Sequence, residues 1–272
     1  QKQKPWYELY NFINDAGHCE NGIYALRANY GFADLTLEEL KKFRSIESRL
    51  TGHGEAHLFP EGVMMSNGPL GSAFPQSQGL AMADAHLQNG RVTVTTISDG
   101  ACMEGEAREA MAAIPGLAQK GKLAPYVLII SDNNTKLSGR IDKDSFSMEP
   151  TFQSLKTLGW TVLELKDGHS LQQCLFTIEH AVAMARKNPK VPVAIHAHTI
   201  KGIGTKKTAE SASGGHGFPC KSATEVLAFI QEIYGEHKLP QVFIDWSEEL
   251  VELEKKIKAN AIKDTDEKIQ VG

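Results

Sequence analysis

The chain has 272 residues, 41% of them hydrophobic and 23% charged, and a net charge of −4, enough for one large α/β domain with a buried core or for two small ones. Lysine and arginine are spread along it without a basic patch, and no apolar run approaches the roughly 20 residues of a membrane span, so nucleic-acid and membrane partners are excluded. Cys19, Cys102, Cys174 and Cys220 show no CxxC spacing and read as reduced thiols of a cytoplasmic protein.

Residues 1–35 are mixed and poorly periodic, with scattered aromatic side chains, and Gly17-His18 precedes a predicted helix over residues 22–29. Thr36-Leu37-Glu38-Glu39 is a capping-box sequence. It opens a predicted helix over residues 37–50 that turns Leu37, Leu40, Phe43 and Ile46 to a core. A polar loop follows, Thr51-Gly52-His53-Gly54-Glu55, in which His53 between two glycines reads, taken alone, as a turn residue. Asn67-Gly68-Pro69-Leu70-Gly71 is either a tight turn or a place where backbone N–H groups approach a ligand without a Cβ in the way. An Ala- and Gly-rich helix is predicted over residues 75–87.

The sequence then reads strand, turn, helix, strand, turn. Residues 92–97 are apolar and β-branched and end in Ser98-Asp99-Gly100; residues 126–130 end in Ser131-Asp132-Asn133-Asn134. Two strands joined by a helical crossover are parallel, so both polar ends emerge on one edge of the sheet, where open parallel sheets bind ligands. Asp99 and Asn133 thereby converge, either as ordinary turn residues or as a hard-oxygen pair suited to Mg²⁺, which keeps few protein ligands and fills its shell with water and phosphate oxygens. The intervening helix has one apolar stripe, Met103, Ala107, Ala110, Met111 and Ile114, and Pro115 is expected to kink or end it. Glu104 opens it as a first-turn acid.

Further on, a helix is predicted over residues 151–158, a strand over 160–165, and an amphipathic helix after Asp167-Gly168-His169-Ser170 with Leu171, Cys174, Leu175, Ile178 and Val182 on its buried face. A fourth strand is predicted over residues 191–198. It leads through Lys201 into a long polar loop that closes on His216-Gly217. Ser222 to Glu225 reads as a second capping box, before a helix burying Val226, Leu227, Phe229, Ile230 and Ile233. Residues 247–258 read as a charged amphipathic helix and residues 258–272 as a linker. The fold class is α/β, a parallel sheet with helices on both faces, with residues 1–235 as the main domain and 236–272 as a helical tail.

Gly17-His18, Thr51-Gly52-His53-Gly54-Glu55, Asn67-Gly68-Pro69-Leu70-Gly71, Asp99-Gly100 through Glu104 to Asn133, and Leu137-Ser138-Gly139 occur in an order that resembles the amino-terminal part of transketolases. Ser98 stands where the family's metal motif has Gly, and Ser72-Ala73 where it has Gln-Gly. The resemblance implies the thiamine-diphosphate-binding fold and a thiamine diphosphate and Mg²⁺ site. Its metal ligands would be Asp99, Asn133 and the backbone carbonyl of Thr135, its cofactor contacts His18, Gly68, Leu70, Gly100, Glu104, Asn133, Leu137 and His216, and its catalytic groups His18, His53 and His216. It further implies transfer of a two-carbon ketol unit between sugar phosphates, as in the pentose phosphate pathway, in a cytoplasmic homodimer or heterotetramer. A pyrimidine-binding domain in the same or a second chain would complete the site. Such a domain does not fit in this chain and the family's earlier Ser-Gly-His-Pro motif is not found, so the chain reads as a piece of a longer protein. Two alternatives stay open: another thiamine-diphosphate enzyme (a 2-oxo acid dehydrogenase component or a deoxyxylulose-phosphate synthase), and a non-catalytic nucleotide-binding module.

Overall fold

The computed structural model describes residues 5–137, 139–211, 216 and 220–269. The backbone groups into two compact units, one of residues 1–136 and 140–199, the other of residues 137–139 and 200–272.

The first unit is built on a five-stranded sheet of β1 (Tyr10–Asn14), β2 (Val92–Ser98), β3 (Tyr126–Asp132), β4 (Thr161–Leu165) and β5 (Val193–His198), in the order β1-β2-β3-β5-β4. Every pairing is parallel. Among the described residues its helices of five residues or more are α1 (Glu20–Asn29), α2 (Leu37–Lys41), α3 (Ala73–Leu87), α4 (Gly105–Gln119), α5 (Glu149–Leu158) and α6 (Leu171–Lys187). On one face α3, α4 and α5 contribute Phe74, Ile114 and Phe152 to a core shared with Leu128 and Ile130 of β3. On the other, Ala181 and Ala185 of α6 lie against Val127, Val193 and Ile195. A fully buried aliphatic side chain of this kind contributes about 1.5–3 kcal/mol. The architecture is the expected one, an α/β fold with helices on both faces of a parallel sheet.

Strand β1 was not foreseen, because its sequence YNFIN interrupts the apolar pattern with asparagines. Both are buried and partnered: Asn11 donates to Asp84 and Thr93, and Asn14 to the Ala16 carbonyl and the Glu20 carboxylate. Of the kink or end expected at Pro115, the end does not occur, and α4 runs on to Gln119. The Met111 carbonyl that the proline cannot reach accepts instead from the Trp160 indole Nε1, at 2.8 Å.

The helix expected over residues 37–50 stops at Lys41. Its capping box forms as predicted, but Arg44 takes a left-handed φ of 64° and its N–H turns back to the Leu50 carbonyl. Leu37 and Ile46 are consequently exposed, while Leu40 and Phe43 pack on Tyr24 and Phe59. In α6 the inward stripe is Cys174, Ile178, Ala181, Val182 and Ala185; Leu171 and Leu175 point outward.

The second unit holds a helix over Val226–Tyr234 and another over Gln241–Ile269, so the stretch read as a linker is helical to Ile269. No residue of the Val226–Tyr234 helix is buried, against the expected buried stripe. Nor does the second capping box form: the Ser222 hydroxyl pairs with Thr224, the Glu225 carboxylate takes the Lys207 ammonium at 2.9 Å, and the Ala223 N–H donates to Glu254. Among the described residues no helix is long and apolar enough to cross a membrane.

Candidate functional site

The site is assembled at the carboxyl ends of β1, β2 and β3, where the loops leave the sheet. Asp99 follows β2 directly, and its N–H continues the ladder to the Ser131 carbonyl at 3.1 Å. Its carboxylate is only 1% exposed and accepts from the Gly100 N–H at 2.8 Å and the Asn133 N–H at 2.9 Å. Burial pushes its pKa up to about 6, against the lowering pull of those two N–H groups and with the repulsion of the neighbouring Asp132 carboxylate. Asn134 takes a left-handed φ of 54°, a conformation that asparagine tolerates better than most residues. The turn leaves the Asn133 side-chain Oδ1 buried with no hydrogen-bond partner. A buried carboxylate and an orphaned amide oxygen at neighbouring strand ends form a donor set for a hard cation, and Mg²⁺ fits it. Thr135 is buried beside them; its hydroxyl donates to the Asn133 carbonyl and accepts from Arg140 at 2.7 Å.

The Gly68–Leu70–Gly71 loop meets this turn from the other side. Gly71 has a φ of 78°, and a Cβ on it would stand 2.8 Å from the Glu104 Cβ and 3.1 Å from the Ala101 carbonyl oxygen, so only glycine permits the contact. The loop is anchored by Asp15, wholly buried, whose carboxylate accepts from the N–H groups of Gly71 and Phe74, each at 2.9 Å. Burial nonetheless raises the Asp15 pKa. A Cβ at Gly68 or Gly100 would meet nothing within 4 Å, so the space beside both backbones is open to a ligand's oxygens. Leu70 is half-exposed, and Glu104 stands exposed as the residue preceding α4.

His18 and His53, two of the first unit's histidines, belong to the same neighbourhood. His18 lies in the short turn Gly17–Cys19 just after β1. A Cβ on Gly17 would stand 2.4 Å from the Asn67 carbonyl oxygen and 2.9 Å from His53 Cδ2, which sets the His18 turn against the exposed His53 and the start of the glycine loop. Asn67 ties these parts together. Its amide donates to the Asn14 carbonyl at 2.7 Å and to Glu20 at 2.6 Å, and its Oδ1 accepts from the Gly54 N–H at 2.6 Å.

His18, His53, Gly68, Leu70, Asp99, Gly100, Glu104, Asn133 and Thr135 therefore all stand in the first unit. His216 and Leu137 belong to the second: the Lys201 ammonium lies 2.8 Å from His216 Nδ1, and Leu137 is exposed. Three residues that position the site were not singled out from the sequence, namely Asp15, Asn67 and Asp132. Asp132 lines a cavity of about 240 Å³ with Asp99, Asn134, Asp142, Glu149 and Phe152. Its carboxyl is held below its usual range: burial would raise it, but the His196 hydrogen bond at 2.8 Å and the charge behind it win. The signal was available, since Asp132 directly precedes Asn133 at a strand end. A larger groove of about 530 Å³, lined by Trp6, Tyr10, Phe12, Val182 and Arg186, runs beside the edge strand β1 and contains none of these residues.

A family model described as transketolase, thiamine diphosphate binding domain, matches residues 1–268. Among curated relatives, the transketolase of Staphylococcus aureus strain MW2 is 33% identical over 262 residues, 93% of this chain and 37% of the relative. The transketolase of Bacillus subtilis strain 168 is 33% identical over 225 residues, 79% of this chain and 32% of the relative. Among solved structures, a Pichia stipitis transketolase in complex with sedoheptulose 7-phosphate superimposes with a TM-score of 0.71 at 26% identity, over 95% of this chain and 38% of that one. The Campylobacter jejuni transketolase gives 0.70 at 25% identity, over 95% of this chain and 40% of that one. The chain thus spans about a third to two fifths of the length of the relatives it matches.

Proposed function

Because the chain belongs to the transketolase family, through its thiamine-diphosphate-binding domain, we propose that it supplies the Mg²⁺ and diphosphate half of a thiamine diphosphate site working in transfer of a two-carbon ketol unit between sugar phosphates. The carrying observation is the pair of adjacent strand ends at which the buried Asp99 carboxylate accepts from the Asn133 N–H while the Asn133 Oδ1 stays unpartnered. The sugar-phosphate assignment draws on the Pichia stipitis relative, described in complex with sedoheptulose 7-phosphate.

When bound, thiamine diphosphate supplies an electron sink for a carbanion equivalent. The work of the chain is to hold it. Asp99, Asn133 and the Thr135 carbonyl bind Mg²⁺, and the open backbone at Gly68 and Gly100 admits phosphate oxygens. Leu70 and Leu137 offer apolar contact, and Glu104 organises the edge of the cofactor or a subunit contact beside it. His18, His53 and His216 hydrogen-bond diphosphate or substrate hydroxyls and move protons at those oxygens. Residues 1–235 carry these roles, with residues 236–272 leading toward a pyrimidine-binding domain of the same or a second chain, in a cytoplasmic homodimer or heterotetramer.

The test is a coupled assay with a ketose phosphate donor and an aldose phosphate acceptor, with and without a transketolase pyrimidine-binding domain. No turnover is expected from the chain alone, and turnover is expected in the mixture. Sustained turnover by the chain alone contradicts this division of labour; a mixture as active with Asp99→Ala as without it contradicts the metal assignment.

A further inference from the structure

A second cluster of metal-ligating side chains lies on the same sheet, and of its members only Asp132 has a place in the site described above. In the register of the central strands Asp132 is paired with His198, and Glu164 with His196. Paired residues in neighbouring parallel strands share a face, and alternate residues along one strand return to it. The backbone alone therefore brings Asp132, Glu164, His196 and His198 to one face at the carboxyl ends of β3, β4 and β5.

The side chains complete the arrangement. Glu164 Oε2 lies 3.3 Å from His196 Nδ1 and 3.3 Å from His198 Nε2. Two ligands on one tetrahedral zinc, each roughly 2.0–2.1 Å from the metal, stand about 3.3 Å apart. The other ring nitrogen of His196, Nε2, lies 2.8 Å from Asp132 Oδ2. With the proton on Nε2, Asp132 accepts it and the Nδ1 lone pair faces Glu164, the carboxylate–histidine–metal relay that fixes the tautomer of a ligating imidazole. Ligand atoms of Asp132, His196 and His198 all lie within 4.8 Å of one another. The Phe152 ring, 4.7 Å from that of His196, holds the imidazole in place. His196 is buried, whereas His198 and Glu164 are half-exposed, which gives an ion a path in and leaves a position for water or a ligand oxygen.

We propose that His196 Nδ1, His198 Nε2 and Glu164 form a binding site for a divalent transition-metal ion of the zinc class, with Asp132 as the residue that orients His196. The imidazole nitrogens select such an ion over Mg²⁺, so the site is chemically distinct from the Asp99 and Asn133 turn. It ties the ends of three strands together. Through Asp132, whose carboxylate neighbours that of Asp99, it also places a positive charge at the mouth of the cavity.

Titration of the whole chain with Co²⁺, followed by its visible ligand-field bands, tests the proposal without reference to catalysis. Saturable uptake of one Co²⁺ is expected, displaced by Zn²⁺ and not by Mg²⁺. His198→Ala and Glu164→Gln should each weaken it about tenfold or more, while Asp99→Asn leaves it intact. Both variant positions are half-exposed, so circular dichroism and the melting temperature without metal should match those of the parent chain. The chain holds 10 histidines. Bands that saturate in either variant at the Co²⁺ concentration that saturates the parent chain arise elsewhere and overturn the proposal, as does the lack of any saturable uptake.

Discussion

Asp99 is under opposed demands. Its carboxylate is held by two backbone N–H groups, and burial still pushes its pKa up to about 6 from the ordinary 3.8. A raised pKa favours the protonated form in the folded state. That contribution is fully present below about 3.8 and is lost as the pH rises through about 6, at a cost on the order of 3 kcal/mol to the metal-free chain. Asp99→Asn should therefore flatten the decline in metal-free stability between about pH 4 and pH 7, measured by urea denaturation. In the same window Mg²⁺ affinity of the parent chain should rise as the competing proton leaves. Because Asp99 contributes a charge and Asn133 a neutral dipole, Asp99→Ala should weaken Mg²⁺-dependent cofactor binding more than Asn133→Ala, read by calorimetry with the partner domain present. His53, exposed beside the His18 turn, is expected on the substrate side: His53→Ala should lower turnover and leave cofactor affinity nearly intact. A large loss of cofactor affinity with turnover preserved at saturation would contradict that placement. The convergence of Asp99 and Asn133 was legible because strand ends are written locally, whereas His18 and His53 were singled out only by the order of the motifs, His53 alone reading as a turn residue. Asp15 and Asn67 were not, since they act across 56 and 53 residues, on Gly71 and on the Asn14 carbonyl, and no local pattern records such a bond.

At the scale of elements, α4 shows how a local rule is overridden from outside. Pro115 removes a hydrogen bond to the Met111 carbonyl, and the Trp160 indole from beyond the next helix supplies one. Trp160→Phe should leave that carbonyl buried and unsatisfied and destabilise the chain by about 1–3 kcal/mol. Pro115→Ala restores a backbone N–H to the same carbonyl, so the double variant should lose less than the sum of the two single changes. A denaturation cycle measures this, and strict additivity would mean that the two groups do not share the carbonyl. The periodic stripe of α4 was readable because its core face is continuous, Ala107, Ala110, Met111 and Ile114. The α6 stripe was read correctly at Cys174, Ile178 and Val182 and wrongly at Leu171 and Leu175, which are apolar yet exposed, while the small Ala181 and Ala185 complete the inward face. Apolar character alone does not say which side of a helix the sheet takes.

For the whole molecule, the parallel β2-α4-β3 unit was enough to find the carboxyl edge, because crossover handedness leaves few choices. The first strand and the division of the backbone at residue 200 lay beyond that reach. Asparagines buried in YNFIN look like loop residues until Asp84 and Glu20 are placed beside them. The central claim is that the Asp99 and Asn133 turn holds a metal-bridged diphosphate. It is tested most directly by ³¹P NMR of thiamine diphosphate titrated with the chain, which registers even the weak binding expected from half a site. Both phosphorus resonances should shift and broaden only when Mg²⁺ and the chain are present together, and Asp99→Ala should abolish the change. Resonances unmoved from those of the Mg²⁺ complex in free solution, or moved equally by the Asp99→Ala chain, would contradict it.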